Sequence, residues 1–518
     1  MRFALLLIFF ISVLQAQINP AHKCGFGQHG MSLERVASPQ ERIAPALDES
    51  YVSPTGIFRI HFTKDTLSSH TVVGSDVLGT PAFVLEAAIA ADSAYSVLVG
   101  ELGFYPPLSD QGIDGPELDI YIVDMKILVG SYYGLTRFEN YTPSPTYLLV
   151  DNDYTESFYS TSGLNALRVT IAHEFFHMAQ LRYSHPGFQD WSNIYWYEIS
   201  SVWFEEFCYP DINDYHAYVV DNFSASQFPQ LDDNYGLDMY GHGIYGQVLD
   251  KEYGTRNNKH IMVDLWENLS DKDAIDNLKA TLSATPWNSS FAHSLEKYAV
   301  YNIFTGDRSI SGKYYEDAAF FPEIRTKELS LSTTSMNTLD FQVKSLGIYY
   351  STFNLNSGFS EFISRTESYG ELVPSHFQVY SPNADFHDLT RLSANSWSDA
   401  VYMSPNVEVI QISINSDSLG IYCKTTLLPQ MDFLVVSPNP INPGHDKLQL
   451  NFTRPQADEL PIEIYNILGQ PVYREIRQFP EGFIQTSIWI DPILASGVYI
   501  LRIGSGRTAN IQKFTVLR

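Results

Sequence analysis

Apolar and polar residues alternate along "GIFRIHFT" (Gly56–Thr63), which predicts a strand, while the helical spacing of apolar residues in "PAFVLEAAIAADSAYSVLVGELG" (Pro81–Gly103) predicts a helix. "ELDIYIVDM" (Glu117–Met125) and "TYLLVDNDY" (Thr146–Tyr154) read as further strands. Helical signals dominate from Ala166 to about Glu296, including "LNALRVTIAHEFFHMAQLRYS" (Leu164–Ser184) and "YWYEISSVWFEEF" (Tyr195–Phe207). From about Leu329 to Leu428 the pattern changes to short alternating runs such as "LDFQV", "GIYYSTFNL", "SHFQVYS" and "VEVIQISI", separated by Ser, Asn, Gly and Pro. That predicts a β-sandwich-like domain. "SPNPINPG" marks a second boundary, beyond which "LQLNF", "IEIYNI", "GVYILRI" and "QKFTVL" form another strand set. The expectation is a multidomain α+β protein, without tandem repeats.

A chain of 518 residues with 44% hydrophobic content can fill more than one core, which supports that division. The 32 Lys and Arg face 59 Asp and Glu, a formal charge of −27 that repels phosphate backbones and excludes nucleic acid as an expected partner. At the N-terminus "MRFALLLIFFISVLQAQ" has one Arg, an apolar run and small Ala16, so residues 1–16 read as a secretory signal peptide. Residues 17–50, polar and poorly periodic, read as a leader or propeptide. No later stretch is expected to span a bilayer, so the mature chain should have no transmembrane helix. Cys24, Cys208 and Cys423 are too few and too far apart for a disulfide scaffold.

The candidate chemistry lies in "TIAHEFFHMAQ". Four helical residues turn the chain by roughly 400°, so His173 and His177 project from one face and can reach one ion. Glu174 is then beside the metal, free to take a proton from a zinc-activated water. Catalytic zinc needs three protein ligands, and Glu198 on the next predicted helix is the candidate third. A metzincin would need Gly at position 180 and His at position 183, where this chain has Gln180 and Tyr183; His185 is two residues too late. Glu205, seven residues after Glu198, is a rival ligand, a carboxylate orienting a histidine, or with Glu206 part of a solvated helix end. Asp151 and Asp153 suit a turn at a strand end better than a calcium site.

The pair "TIAHEFFHMAQ" and "YWYEISSVWFEE" resembles the gluzincin arrangement, and the second is similar to the W-L-N-E-G-F-A-x-x-x-E helix of the zinc aminopeptidase clan. Over about Tyr51 to Gly254 the chain more closely resembles a family of secreted bacterial metalloproteases in which a "YLLVDNDY"-like strand precedes the H-E-x-x-H helix. The resemblance implies a zincin-like zinc metallopeptidase domain over 51–328, with His173, His177 and Glu198 as Zn²⁺ ligands and Glu174 as catalytic base. Position 195 is Tyr where Trp is usual, "EISSV" replaces "EGFA", and no G-x-M-E-N segment stands upstream. Endopeptidase action on protein or peptide substrates is therefore expected rather than aminopeptidase action. Tyr240 heads a Y-x-x-G segment resembling the one whose tyrosine stabilises the oxyanion in that clan; packing alone is its other reading, and His242 is a weaker option.

Residues 431–518 resemble the type A sorting domain of the type IX secretion system in "SPNP", "IEIYNILGQPV", "ASGVYILRI" and the terminal "QKFTVLR". This leaves 329–430 as the β-sandwich-like domain and implies a secreted or cell-surface protein that engages the type IX machinery. A rival expectation is a surface binding or adhesion protein with an inactive peptidase-like domain. Finally, "HKCGFG" places Cys24 just after the signal peptide, where its thiolate is a candidate for the open fourth zinc position; a disulfide to Cys208 or Cys423, or an idle thiol, are its other readings. The basic-Cys-Gly order resembles the inhibitory cysteine of matrix metalloprotease propeptides.

Overall fold

The computed structural model describes residues 22–26, 47–108, 115–138, 146–183, 191–504 with brief interruptions, and 509–518. The expected signal peptide, most of the leader and His185 lie outside the described residues. The chain divides into two compact units, Met1–Asn222 with Asp232–Phe291, and Phe223–Leu231 with Ala292–Arg518.

The first unit is built on a six-stranded mixed sheet. Its strands are β1 (His22–Cys24), β2 (Glu49–Val52), β3 (Phe58–Phe62), β4 (Leu118–Val123), β5 (Tyr132–Phe138) and β6 (Thr146–Asp151), in the order β1-β5-β6-β4-β3-β2. β4 and β6 are buried along their whole length, as central strands covered on both faces must be. β3, β4 and β6 run parallel, whereas β5 returns antiparallel to β6. β5 would be the sheet edge but for β1, which pairs with it in parallel, His22 opposite Tyr132 and Cys24 opposite Gly134. The leader thus supplies a strand to the core, in addition to β2, which begins at Glu49 rather than after residue 50.

Helix α1 (Ala82–Tyr95) packs against β3 and against α2 (Gly163–Gln180), and continues as a π-helical turn over Ser96–Glu101. Contrary to the expectation of no further membrane-length segment, Ala82–Glu101 is long and apolar enough to cross a membrane. Its Ala-rich face, with Ala87, Ala88, Ala91 and Ala94, is buried in this core, which accounts for the apolar composition. α2 is buried on all sides from Ala166 to Gln180 except at Arg168, as befits a helix apolar around most of its circumference. It lies over β5 and β6 and crosses α3 (Ile194–Cys208).

Close approach of these elements depends on glycines. A Cβ at Gly134 of β5 would stand 2.6 Å from Thr170 and 2.9 Å from Glu174 Cγ, so the strand rests directly on the H-E-x-x-H helix. Gly243 and Gly246 do the same for the helix Gly243–Tyr253 against α3, where added Cβ atoms would meet Val202 at 2.3 Å and Trp203 at 2.5 Å.

The second unit contains two sandwich-like strand sets. In one, a five-stranded and a four-stranded sheet share a core that includes Phe341, Phe353, Val409 and Cys423. The strand Asn337–Val343 alternates buried and exposed residues without a break, the pattern that its sequence predicted. In the other, the sheet carrying Leu448, Leu450 and Ile488 shares a core with the sheet carrying Ile462, Leu501 and Phe514.

Gly246→Ala should destabilise the first unit by about 1–3 kcal/mol, the usual cost of overpacking. A urea unfolding curve checks this; an unchanged midpoint would mean that the helix does not rest on Trp203.

Candidate metal centre

α2 and α3 bring three of the expected residues together in a site closed to water: His173, His177 and Glu198 are each fully buried. His173 Nδ1 lies 2.7 Å from Glu205 Oε1, an acceptor, so that nitrogen carries a proton. His177 Nδ1 lies 2.7 Å from Gln180 Oε1, and the Gln180 amide nitrogen donates to the Tyr197 carbonyl at 3.1 Å, which leaves its oxygen to accept from the ring. Both Nε2 atoms therefore turn lone pairs inward, 3.1 Å from each other, with Glu198 Oε2 at 3.1 and 3.5 Å. Glu198 Oε1 is buried without a hydrogen-bond partner among the described residues.

Such a convergence of acceptors calls for a positive charge. A proton is one answer: burial alone would lower the His173 pKa, but Glu198 and Glu205 raise it to about 10. Burial would likewise raise the Glu198 carboxyl, yet the two imidazoles hold it down to about 2. A divalent cation is the other answer, and two imidazoles with one carboxylate are a donor set suited to zinc. The residues fit that ion, including the partners that fix each ring's tautomer from behind.

Glu174 points into the same space. Its Oε2 accepts from Thr136 Oγ1 at 2.7 Å, and its Oε1 has no partner among the described residues. Burial pushes its carboxyl above the usual range against the pull of the two histidines.

The leader reaches the centre as well. Cys24 Sγ, the two imidazoles and Glu198 offer ligand atoms all within 4.8 Å of one another. Cys24 Sγ lies 3.4 Å from Glu174 Oε2 and accepts from Phe26 N at 3.1 Å. Burial and the charges of Glu174 and Glu198 push the thiol well above its ordinary pKa. All three cysteines are free, so neither expected disulfide forms. Tyr240, on the short helix Asp238–Gly241, donates to the Cys24 carbonyl at 3.2 Å, and its oxygen lies 3.4 Å from the Cys24 amide. His242 sits buried at the end of that helix. Phe26 stacks on His177 with ring centroids 4.3 Å apart.

The solvated reading of Glu205 does not hold, for it is 1% exposed and bonded to His173. Asp151 serves its turn: Oδ1 accepts from Asp153 and Tyr154 amides at 3.1 and 2.7 Å, and Oδ2 from Met125 at 3.0 Å. Sequence reasoning missed Lys23, buried with its Nζ between Glu205 and Asp214. It also missed Thr136 and treated Gln180 only as a residue out of place, although its spacing of three from His177 on a helix was a readable signal.

Residues 437–517 match the model of the secretion system C-terminal sorting domain. The chain thus ends in a type IX sorting domain, is directed to the cell surface or beyond, and engages the type IX machinery through that tail. No curated protein matches the chain. Among solved structures, PorZ, a surface component of the type IX secretion system of Porphyromonas gingivalis, is 17% identical over 22% of this chain and 14% of that one, at a TM-score of 0.14. The lysozyme inhibitor PliG of Salmonella Typhimurium is 8% identical over 20% of this chain and 99% of that one, at 0.16. A glycosyl hydrolase family 2 member from Bacteroides cellulosilyticus is 10% identical over 33% of this chain and 28% of that one, at 0.14. Likenesses this slight carry no argument about the centre.

Deleting residues 431–518 should strand the protein in the periplasm of its native host with the first unit still folded. Fractionation with immunoblotting checks this; unchanged delivery to the surface or medium would refute the tail's role.

Proposed function

We propose that the chain is a secreted zinc peptidase, an endopeptidase of zincin type, held latent by its own leader. One observation carries the reading: two imidazoles and a carboxylate converge as acceptors in a dry site, with a second, partly unpartnered carboxylate beside them. His173, His177 and Glu198 would hold Zn²⁺, which supplies the Lewis acidity that activates water and polarises a peptide carbonyl. Glu174, steadied by Thr136, takes the proton from the attacking water through Oε1 and returns it to the leaving amine. Tyr240 already donates to a peptide carbonyl, that of Cys24, and in turnover donates to the oxyanion developing on the substrate carbonyl. Glu205 and Gln180 keep both imidazoles in the tautomer that presents Nε2 to the ion.

The leader strand occupies the edge of β5, where an extended substrate would add to the sheet. Its Cys24 sulfur, with its proton passed to the adjacent Glu174 Oε2, would take the coordination position that water needs and keep the unprocessed chain inactive.

Purified protein should bind about one zinc per chain and cleave casein after leader removal. Glu174→Gln should keep the zinc and lower kcat by about 10²–10⁴-fold; equal cleavage by both proteins would point to a contaminant and favour an inactive surface binding protein.

Because β1 still covers the edge of β5, unprocessed Cys24→Ser should cleave a peptide substrate more slowly than the leader-free protein, yet measurably, where the unprocessed wild type is silent. Equal activity of the two removes the thiol from the latency.

A further inference from the structure

Lys23 is 1% exposed, an unusual position for a lysine, since the ammonium loses its hydration unless it is paired. Here it is doubly paired. Its Nζ forms ion pairs with Glu205 Oε2 and Asp214 Oδ2, and it lies 5.6 Å from the ring centroids of both Tyr133 and Tyr218. Asp214 is held in turn by the Tyr133 hydroxyl, which donates to Oδ1 at 3.0 Å. Two carboxylates and two aromatic faces thus form a closed receptacle for one cation.

The receptacle belongs to the centre by position and by bonding. Glu205 holds Lys23 with one oxygen and His173 with the other. Lys23 precedes the cysteine that reaches the metal-binding groups, on a strand paired to β5, and Tyr240 binds the backbone of that next residue. A chain threaded along β5 therefore delivers one side chain to the centre and its neighbour to the acidic pocket. This is how a peptide added to a sheet edge is read, with backbone hydrogen bonds for affinity and side-chain pockets for choice. Once the leader has left, both carboxylates lose this countercharge, and a neutral side chain entering the pocket would strip their water without replacing the ammonium.

We infer that Glu205, Asp214, Tyr133 and Tyr218 form the specificity pocket of the peptidase, which selects a basic side chain, lysine or arginine, at one position flanking the scissile bond. Lys23 occupies it in the latent chain as a substrate side chain would. The inference rests on the peptidase reading and adds the substrate class. The formal charge of −27 favours the approach of cationic peptides to this site.

The test uses the full chain with a protease site inserted after Gln28, cut after folding and freed of the leader. In one arm, a peptide library is digested by the zinc-loaded protein and the cleavage sites are mapped. Lys and Arg should be enriched at one flanking position, and Asp214→Asn should lower the ratio of kcat/KM for a lysine substrate over its norleucine isostere at least about tenfold. In the other arm, which needs no turnover, the Glu174→Gln form of the same protein binds a fluorescent peptide of the sequence Pro20–Gln28. Replacing the lysine of that peptide by norleucine should weaken binding at least about 30-fold. Cleavage without basic preference overturns the pocket assignment and leaves the peptidase reading standing. Absence of all cleavage overturns the peptidase reading and with it the assignment of substrate class. Equal binding of the lysine and norleucine peptides overturns the pocket in either case, including where Asp214→Asn fails to fold.

Discussion

The first unit is organised around a concentration of lone pairs that its own fold creates. α2 and α3 cross so that two imidazoles and a carboxylate face one point from which water is excluded. Left alone, such a cluster is electrostatically unfavourable, because acceptors repel in a medium that screens poorly. The surroundings manage it from behind: Glu205 and Gln180 bind the outward nitrogens, and Gln180 is itself fixed by the Tyr197 carbonyl. What remains uncompensated is the centre itself, and that is the physical argument for a cation there.

The same constraint explains features that look unrelated along the chain. Gly134 lets β5 lie on α2 close enough for Thr136 to reach Glu174. Gly243 and Gly246 let the following helix press on α3, and the short helix before it carries Tyr240 to the leader backbone. Aromatic contacts close the far side, with Trp266 edge-on to Tyr197 at 4.9 Å and to Phe176 at 6.1 Å. Rigid packing matters because a ligand set must be held by its supports rather than by the ion alone.

On the proposed reading, the leader is complementary to the site residue by residue. It adds a strand to the sheet edge, stacks Phe26 on His177, sets Cys24 among the metal-binding groups and neutralises the acidic pocket with Lys23. Lys23 in particular supplies the countercharge that Glu205 and Asp214 lack from their other partners, His173 and Tyr133. The terminal strand set of the second unit serves a different end, as the sorting domain that directs export.

Much of this was legible in the chain alone. The period-two runs predicted β3 and the sandwich strands, and the spacing of His173 and His177 predicted a shared helix face, because local periodicity records which side of an element is buried. The tail was readable because its pieces keep a fixed order next to the terminus. The partners of the centre were not readable: Glu205 as the support of His173, Lys23 between Glu205 and Asp214, and Cys24 beside residues some 150 positions later are long-range contacts with no local period. Burial of the Ala-rich face of the Ala82–Glu101 helix in a core, despite its membrane-like composition, was likewise decided by what packs against it. Sequence determined which side chains were available and on which faces; only tertiary packing decided which of them meet without water, and with that their charge and their chemistry.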